Sequence, residues 1–240
     1  MTFELSSIHQ DARERARTFA TDRVQPQAGD IDRAAVVPAE LATLASALVR
    51  EAGNALGKTI VVEELAIASG AVALKAFAEA SDSTPADSPG LRGGPVPTDS
   101  TTTQLCLSAV ALGLGQAAIN HSLAELRQTP APGGSGTEKP HWIVADAATD
   151  LEAARLLTRS AAQVVDSNQG GQASVAIARL MSSSAARTAV DAAVRIAGSA
   201  GYREGALLER LSRDVRAISL LLGTEEDHRS RAADELLPGR

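Results

Sequence analysis

Aromatic residues are scarce in this 240-residue chain, at 2% of the sequence, although 44% of it is hydrophobic. Alanine, leucine and valine supply most of the apolar content, and glycine and proline are concentrated in a few segments. Strands favour aromatic and β-branched residues, whereas helices favour alanine and leucine. The composition therefore predicts an all-α protein.

Three further absences narrow the class of protein. Cys106 is the only cysteine, so the chain has no disulfide framework, and its apolar helical surroundings indicate a small buried hydrophobe. No segment has the ~20 consecutive apolar residues that a membrane span needs. The N-terminal segment alternates charged and apolar residues, unlike a secretion signal. We therefore expect a soluble cytoplasmic protein that does not act at a membrane.

The charge pattern does not favour nucleic acid as a partner. The chain has 23 Lys and Arg against 29 Asp and Glu, a net charge of -6, and no segment combines basic with aromatic residues. Its His, Cys, Asp and Glu residues also lack the spacing of metal ligands. We expect neither a nucleic-acid partner nor a metal site.

Apolar residues recur at helical spacing in two parts of the chain. The pattern predicts an N-terminal helical domain at residues 1–80, with a helix up to Pro26, one between Pro38 and Gly53, and one over residues 59–80. It predicts a C-terminal up-and-down bundle of four or five helices at residues 104–240, with helices over residues 104–128, 141–168, 173–197, 207–222 and 225–237.

Residues 81–103 separate these parts. They are rich in Pro, Gly, Ser, Thr and Asp and show no apolar periodicity, which predicts a linker or an exposed loop. Residues 129–140 have a similar composition and predict a second loop. The first is long for a compact domain, because loops of more than about 15 residues without secondary structure are uncommon.

Several strings, in their order along the chain, resemble the acyl-CoA dehydrogenase family. "VQPQAGDIDR" from Val24 and "VVEELAIAS" from Val61 are similar to its N-terminal helical domain. "VADAATDLEAARLL" from Val144, "AVRIAGSAGY" from Ala193 and "LERLSRDVRAISLLLGT" from Leu208 are similar to its C-terminal bundle. The resemblance implies FAD-dependent oxidation of acyl thioesters and assembly as dimers of dimers, largely through the bundle.

The sequence departs from the family between the two helical parts. There the family has a β-barrel domain that forms the main wall of the flavin site, whereas this chain has only residues 81–103. Such a short segment cannot build a closed sheet. We therefore expect both helical parts to be of the family's type, with no β domain.

The resemblance also places a catalytic glutamate before a Gly-Thr turn, where this sequence has Leu222. A hydrocarbon side chain cannot accept a proton. Leu222 continues the helical spacing of Leu208, Leu211, Val215 and Ile218, so we expect it to extend their buried stripe. Some relatives place the base early in the first bundle helix, where the matching residues are Thr103 or Gln104.

The resemblance assigns cofactor binding to positions in the C-terminal bundle: Arg127, Arg195, Gly198, Gly201, Gly223 and Thr224. Arg195 stands in place of a glutamine, and Ser199 stands in place of the second of two glycines. We therefore expect FAD to be absent or incompletely bound in the isolated chain.

Glu225 and His228, just after the Gly-Thr turn, are candidate catalytic residues. Glu225 is also accounted for by a helix N-terminus, where carboxylates complement the helix dipole. His228 falls where the family contacts cofactor or substrate, and histidine titrates near neutral pH. Elsewhere, we expect His121 to be packed or hydrogen-bonded, and the glycines at Gly113 and Gly115 to permit close helix approach.

Three functions remain open, and the sequence does not decide whether the chain is an enzyme. The first is a partner or binding subunit in fatty-acid or secondary acyl-thioester metabolism, without its own flavin chemistry, in a homo- or hetero-oligomer formed through the bundle. A full-length acyl-CoA dehydrogenase is one such partner. The second is a non-redox dehydratase, isomerase or cyclase that acts on an acyl thioester. The third is an FAD-dependent dehydrogenase whose site is completed by a partner chain.

Overall fold

The computed structural model describes residues 4–81, 86–87, 91–128 and 140–237. Those residues form ten α-helices and two strands of two residues each. The helices are α1 Ser7–Phe19, α2 Ala28–Ala34, α3 Ala39–Glu51, α4 Ala55–Ala68, α5 Gly70–Ala80, α6 Thr101–Gln128, α7 Pro140–Asp166, α8 Gln172–Ala197, α9 Leu207–Leu220 and α10 Glu225–Leu236. The predicted all-α class is confirmed.

The N-terminal helices differ in two places from the expected pattern. α1 leaves α-helical geometry at Ala20, where a π-helical turn, Ala20–Val24, and a 3-10 turn, Gln25–Gln27, lead into α2. The single helix predicted over residues 59–80 is wrong, because Ser69 has an extended backbone and separates α4 from α5. The Ser69 hydroxyl accepts a hydrogen bond from the Val72 backbone N–H and so begins a new helix.

The segment between α5 and α6 is more ordered than a free linker in the part that the structure describes. Strand β1, Ala86–Asp87, pairs antiparallel with β2, Pro95–Val96, and this ladder is the only sheet among the described residues. Leu91 is fully buried. A Cβ on Gly70 would lie 2.9 Å from Leu91 Cδ2, so the start of α5 packs tightly on Leu91. The expectation of an exposed loop therefore fails at Leu91, while residues 82–85 and 88–90 lie outside the described residues.

Helices α6 to α9 form an up-down-up-down bundle. α6 and α8 are parallel, since Gln104 near the start of α6 bonds Arg179 of α8, and Gly115 farther along α6 packs on Ala186. α7 is antiparallel to α6, because apolar clusters join its later residues to the start of α6 and its early residues to the later part of α6. α9 runs back along α8, and α10 packs on α8. The predicted bundle is confirmed, although most of the second loop, residues 129–139, lies outside the description.

One apolar core joins the N-terminal helices to the bundle. Its buried members come from α1, α3, α4 and α5 and also from α6, α8 and α9. A Cβ on Gly113 of α6 would lie 2.5 Å from the Glu63 carbonyl oxygen of α4, and one on Gly115 would lie 3.1 Å from the Ala186 Cα. Both glycines therefore permit the close helix approach that was predicted.

Polar contacts also connect the two parts. Asp166, at the end of α7, accepts hydrogen bonds from the backbone N–H groups of Ala55 and Leu56 at 2.7 and 3.0 Å, and so caps the start of α4. α6 is long and apolar enough to cross a membrane by composition, but 89% of its most apolar window is buried within the protein. Its apolar character is therefore accounted for by its central place in the core.

Candidate functional site

The turn between α9 and α10 holds the position of the expected base. Leu208, Leu211, Val215 and Ile218 form the buried face of α9, as predicted. The prediction that Leu222 extends this face is wrong, because α9 ends at Leu220 and Leu221 takes the buried place. Leu222 adopts a left-handed backbone with φ of 58° and packs only partly against the core.

Arg179 organises the backbone around this turn. It is 1% exposed, and its Nη2 donates to the carbonyl oxygens of Ile218 at 2.9 Å and Leu221 at 3.1 Å. Its Nε donates to Gln104 Oε1 at 3.2 Å. Burial lowers the pKa of Arg179 to about 10, so it stays charged at neutral pH. A buried cation therefore satisfies the carbonyls that the end of α9 leaves without helical partners.

Gln104 completes this arrangement from α6. Its Nε2 donates to the Leu222 carbonyl oxygen at 2.9 Å and to Asp99 Oδ1 at 2.8 Å. Thr103, the other position considered for a base, donates through its hydroxyl to the Thr98 carbonyl oxygen at 2.7 Å. We call Asp99, Gln104, Arg179 and the carbonyls of Ile218, Leu221 and Leu222 the turn network. Its members bond mainly to backbone, and neither Thr103 nor Gln104 supplies a carboxylate.

The two catalytic candidates lie in the first turn of α10 and face different groups. The Thr224 hydroxyl accepts from the Asp227 backbone N–H, and Asp227 Oδ2 accepts from the Thr224 backbone N–H, which forms a capping box. Glu225 pairs with Arg187 at 2.5 Å and with Arg229 at 2.8 Å, and hydrogen bonds from these two arginines lower its pKa. Glu225 is therefore a carboxylate held by two cations.

His228 is 4% exposed, and its Nε2 has no hydrogen-bond partner among the described residues. Burial, with the nearby charges of Arg179 and Arg231, lowers the pKa of His228 to about 4. The ring is therefore neutral at physiological pH and is a weak base there. His228 lines a pocket of about 260 Å³ together with Asp99, Ser100, Thr101, Gln104, Gln172, Val175, Ala176 and Arg231. Glu225 is not among the residues that line it.

The residues assigned to cofactor binding fall at two ends of the bundle. Gly223 and Thr224 lie at the α9–α10 turn beside His228, whereas Arg195 lies in the last turn of α8 and Gly198 follows it. The end of α8 is about 27 Å from Arg179 along the helix axis, from a rise of about 1.5 Å per residue. The chain therefore does not bring these two groups together.

The local structure gives several of these residues packing or capping roles. A Cβ on Gly201 would lie 2.9 Å from both Ala197 Cβ and Leu208 Cδ1, so Gly201 permits contact between the ends of α8 and α9. Gly198 ends α8 with φ of 62°, which glycine adopts readily. Arg127 lies in the last turn of α6 and is exposed.

The sequence interpretation missed Arg179, which holds the turn together. One signal was available: Arg179 lies on the otherwise uncharged buried face of α8, in line with Val175 and Ala186, and a charge on such a face has a specific partner. The partners themselves are carbonyls from residues 39 and 42 positions away, so the sequence pattern does not identify them.

Comparison with known proteins identifies the family. The profile of the acyl-CoA dehydrogenase C-terminal domain matches residues 101–237. A probable acyl-CoA dehydrogenase of Bacillus subtilis is 31% identical over 136 residues, which are 56% of this chain and 36% of the relative. The mitochondrial short-chain specific acyl-CoA dehydrogenase of Bos taurus is 33% identical over 138 residues, 57% of this chain and 34% of the relative. The chain thus spans about a third of the length of these curated relatives.

The fold extends this similarity to nearly the whole chain. The structure of butyryl-CoA dehydrogenase from Megasphaera elsdenii aligns with a TM-score of 0.82 at 18% identity, covering 99% of this chain and 100% of that chain. At that identity the likeness concerns the fold alone. It includes the N-terminal helices, which lie outside the matched C-terminal profile.

Proposed function

This chain belongs to the acyl-CoA dehydrogenase family, and from that membership we propose that it is a partner or binding subunit in acyl-thioester metabolism that does not oxidise acyl-CoA by itself. The main support is the α9–α10 turn. Leu222 occupies the position of the expected glutamate, and its carbonyl is fixed by Gln104. A leucine provides no group that could remove the α proton of a thioester.

The other groups near the turn do not replace that base. A general base works best when its pKa lies near the pH of the reaction. The pKa of His228 is lowered to about 4 by burial and nearby cations, and Glu225 is held by Arg187 and Arg229. Asp99 lines the turn pocket, but its Oδ1 already accepts from Gln104. The acid–base chemistry of the family therefore has no suited residue at this turn.

The residues assigned to FAD also fit poorly as a single site in this chain. FAD would supply the hydride acceptor, but the positions assigned to it are divided between the α9–α10 turn and the far end of α8. The pocket at the turn, about 260 Å³, is below the ~300–1,000 Å³ of typical ligand pockets. The small pocket, together with the short segment between α5 and α6 where the family has its β domain, supports a function without bound flavin.

Assembly through the bundle is the proposed function of the helices that the family match covers. Apolar side chains on the outer faces of α7 and α8 are substantially exposed: Leu156, Leu157, Ile177 and Met181. Apolar and methionine side chains are typical of the buried centre of protein interfaces. We propose that this surface binds another protomer or a full-length acyl-CoA dehydrogenase.

Flavin content and turnover test the loss of redox chemistry. The purified chain is expected to show no oxidised-flavin absorbance, even after incubation with excess FAD, and no reduction of a dye acceptor by butyryl-CoA. Leu222→Glu restores a carboxylate and is expected to remain inactive, because the flavin site still lacks the wall that the β domain provides in the family. A yellow wild-type preparation that turns over butyryl-CoA would disprove the proposal.

Light scattering coupled to size exclusion tests the assembly. The chain, alone or mixed with a full-length acyl-CoA dehydrogenase, is expected to form an oligomer that Met181→Glu weakens. Glu226→Lys is the matched control, because it also changes charge at an exposed position but lies on α10. A monomer under both conditions would exclude the partner role. Flavin bound stoichiometrically to this chain only in the mixture would instead favour a site completed by the partner.

A further inference from the structure

A large cleft lies where α1, α4, α6, α7 and α9 meet. It has a volume of about 630 Å³ and shares no lining residue with the pocket at the α9–α10 turn. Its charged lining comprises Arg13, Arg17, Glu63, Glu64, Arg155 and Arg210. Four guanidinium groups and two carboxylates therefore line this cleft, which we call the arginine cleft.

The two carboxylates of the arginine cleft already form ion pairs with arginines of the same cleft. Glu64 is 4% exposed, and its Oε1 accepts from Arg13 Nε at 2.6 Å and from Arg17 Nη2 at 3.1 Å, while its Oε2 accepts from Arg17 Nε. Glu63 is 6% exposed and accepts from Arg155 Nε at 2.6 Å. These pairs form on the inner wall of the cleft and use the carboxylate oxygens as acceptors.

Donors without protein acceptors remain in the arginine cleft. Among the described residues, the Arg210 guanidinium makes no hydrogen bond or ion pair, although its charge acts on the buried Asp214, and Arg13 uses only Nε. Asn120 Oδ1 accepts from Gln116 Nε2 at 3.0 Å, which leaves the Asn120 amide N–H groups as donors. The unmatched groups are therefore mostly donors, and the positive charge exceeds the negative charge.

We propose that the arginine cleft binds a small organic anion, with a carboxylate or phosphate group held by Arg210, Arg13 and Asn120. Guanidinium groups match both anions with paired N–H donors. Ile67, Ala117 and Leu207 line the same space and can contact an apolar portion of the ligand. The volume lies within the range of pockets that bind small molecules.

Calorimetric titration at constant ionic strength tests this assignment, with inorganic phosphate and butyrate as separate probes. At least one probe is expected to bind saturably, and the preferred probe identifies the anionic group. Arg210→Gln removes a charged donor that has no hydrogen-bond acceptor in the described part of the protein and should weaken that binding by about tenfold or more, from the usual strength of a charged hydrogen bond. Arg92→Gln, at an exposed arginine outside the cleft, is the matched control and should have no effect.

Histidine NMR signals locate the site independently of affinity. His121 lines the arginine cleft, whereas His9, His141 and His228 do not. The saturating probe is expected to shift the His121 ring signals in the wild type and in Arg92→Gln, but not at the same concentration in Arg210→Gln. Absence of saturable binding, equal weakening by both substitutions, or equal shifts of all four histidines would overturn the proposal. A flavin-containing preparation would contradict the proposed function and leave this result unaffected, since the two sites share no residue.

Discussion

The turn network and the arginine cleft are two polar regions that both involve α6 and α9, but their polar groups have different partners. In the turn network, the buried Arg179 bonds to backbone carbonyls and Gln104, so its donors are used to fix the chain. In the arginine cleft, carboxylates neutralise only part of the guanidinium charge, and Arg210 has no protein acceptor among the described residues. The region that the family relationship marks for chemistry uses its buried donors to hold the backbone, whereas the arginine cleft keeps donors that have no acceptor in the part of the protein that the structure describes.

Removing Arg179 should have the largest effect on stability. Arg179→Met would leave the Leu221 carbonyl and the Gln104 amide oxygen without their buried donor, while the Ile218 carbonyl would keep only the Leu221 backbone N–H at 3.3 Å. Each unsatisfied buried group costs about 1–3 kcal/mol, so we expect the free energy of unfolding to fall by about 4 kcal/mol. Urea denaturation followed by helical circular dichroism measures this loss. Arg229→Met, at an exposed arginine, should cost less than about 1 kcal/mol, and equal losses would show that the network is not stabilising.

Breaking the buried ion pair of the arginine cleft should cost somewhat less. Glu63→Gln keeps an acceptor for Arg155 but removes the negative charge that faces Arg155 and Arg159. Burial disfavours the Arg155 charge, and Glu63 and Glu152 outweigh that effect and raise its pKa. We expect a loss of about 2–3 kcal/mol in the free energy of unfolding, below the 3–5 kcal/mol typical when a buried pair loses one partner.

Glu51→Gln is the control for that measurement, since Glu51 forms an exposed ion pair with Arg15. Such surface pairs contribute about 0–1 kcal/mol. A loss for Glu63→Gln no greater than that of Glu51→Gln would mean that the buried pairs of the cleft do not stabilise the fold. The arginine cleft would then differ from the turn network only in its ligand binding.

The fold was largely predictable because its signals are local. Apolar spacing sets the helices of the bundle, and the strings from Val144 to Thr224 keep the family's order. The break at Ser69 was missed because the apolar pattern continues across it from α4 into α5. The prediction for Leu222 was wrong for a related reason. The helical spacing of apolar residues continues to Leu222, whereas α9 ends at Leu220.

The site was less predictable because its contacts join distant parts of the chain. Arg213 of α9 donates through its Nη atoms to Asp32 at 2.9 and 2.8 Å across 181 residues, besides forming an ion pair with its neighbour Asp214 at 3.7 Å. The charged wall of the arginine cleft likewise depends on the packing of α1, α4 and α7. A sequence pattern indicates which positions are buried, but not which of them meet.

Protonation of His228, which shares a pocket with Asp99 and Gln104 of the turn network, should change the stability of the fold with pH. The folded pKa of His228, about 4, is below the usual value of 6.5, so between these values the unfolded chain binds a proton that the folded chain does not. The stability that this group contributes is present above pH 6.5 and is lost as the pH is lowered toward 4, by about 3 kcal/mol. His228→Asn should therefore lose less stability than the wild type on acidification from pH 7 to 4.

That difference is measured as the change in urea midpoint between the two pH values. Asp214 must stay unchanged in both proteins, because burial raises its pKa to about 7 and gives a stability contribution of opposite slope. If the urea midpoint falls equally in the wild type and in His228→Asn, then protonation of His228 does not cause the loss of stability in acid.

Substituting Arg210 should have the smallest effect on stability, in contrast with Arg179. Arg210 makes no hydrogen bond or ion pair with the described residues, so Arg210→Gln removes no buried donor that the fold requires. We expect its free energy of unfolding in phosphate-free buffer to lie within about 0.5 kcal/mol of the wild type, as for most surface substitutions. Urea denaturation with and without the bound anion probe checks this expectation. The anion should stabilise the wild type more than Arg210→Gln, because a ligand that binds only the folded state raises its stability. A large loss without any anion would instead make Arg210 a structural residue like Arg179 and would remove the distinction between the two regions.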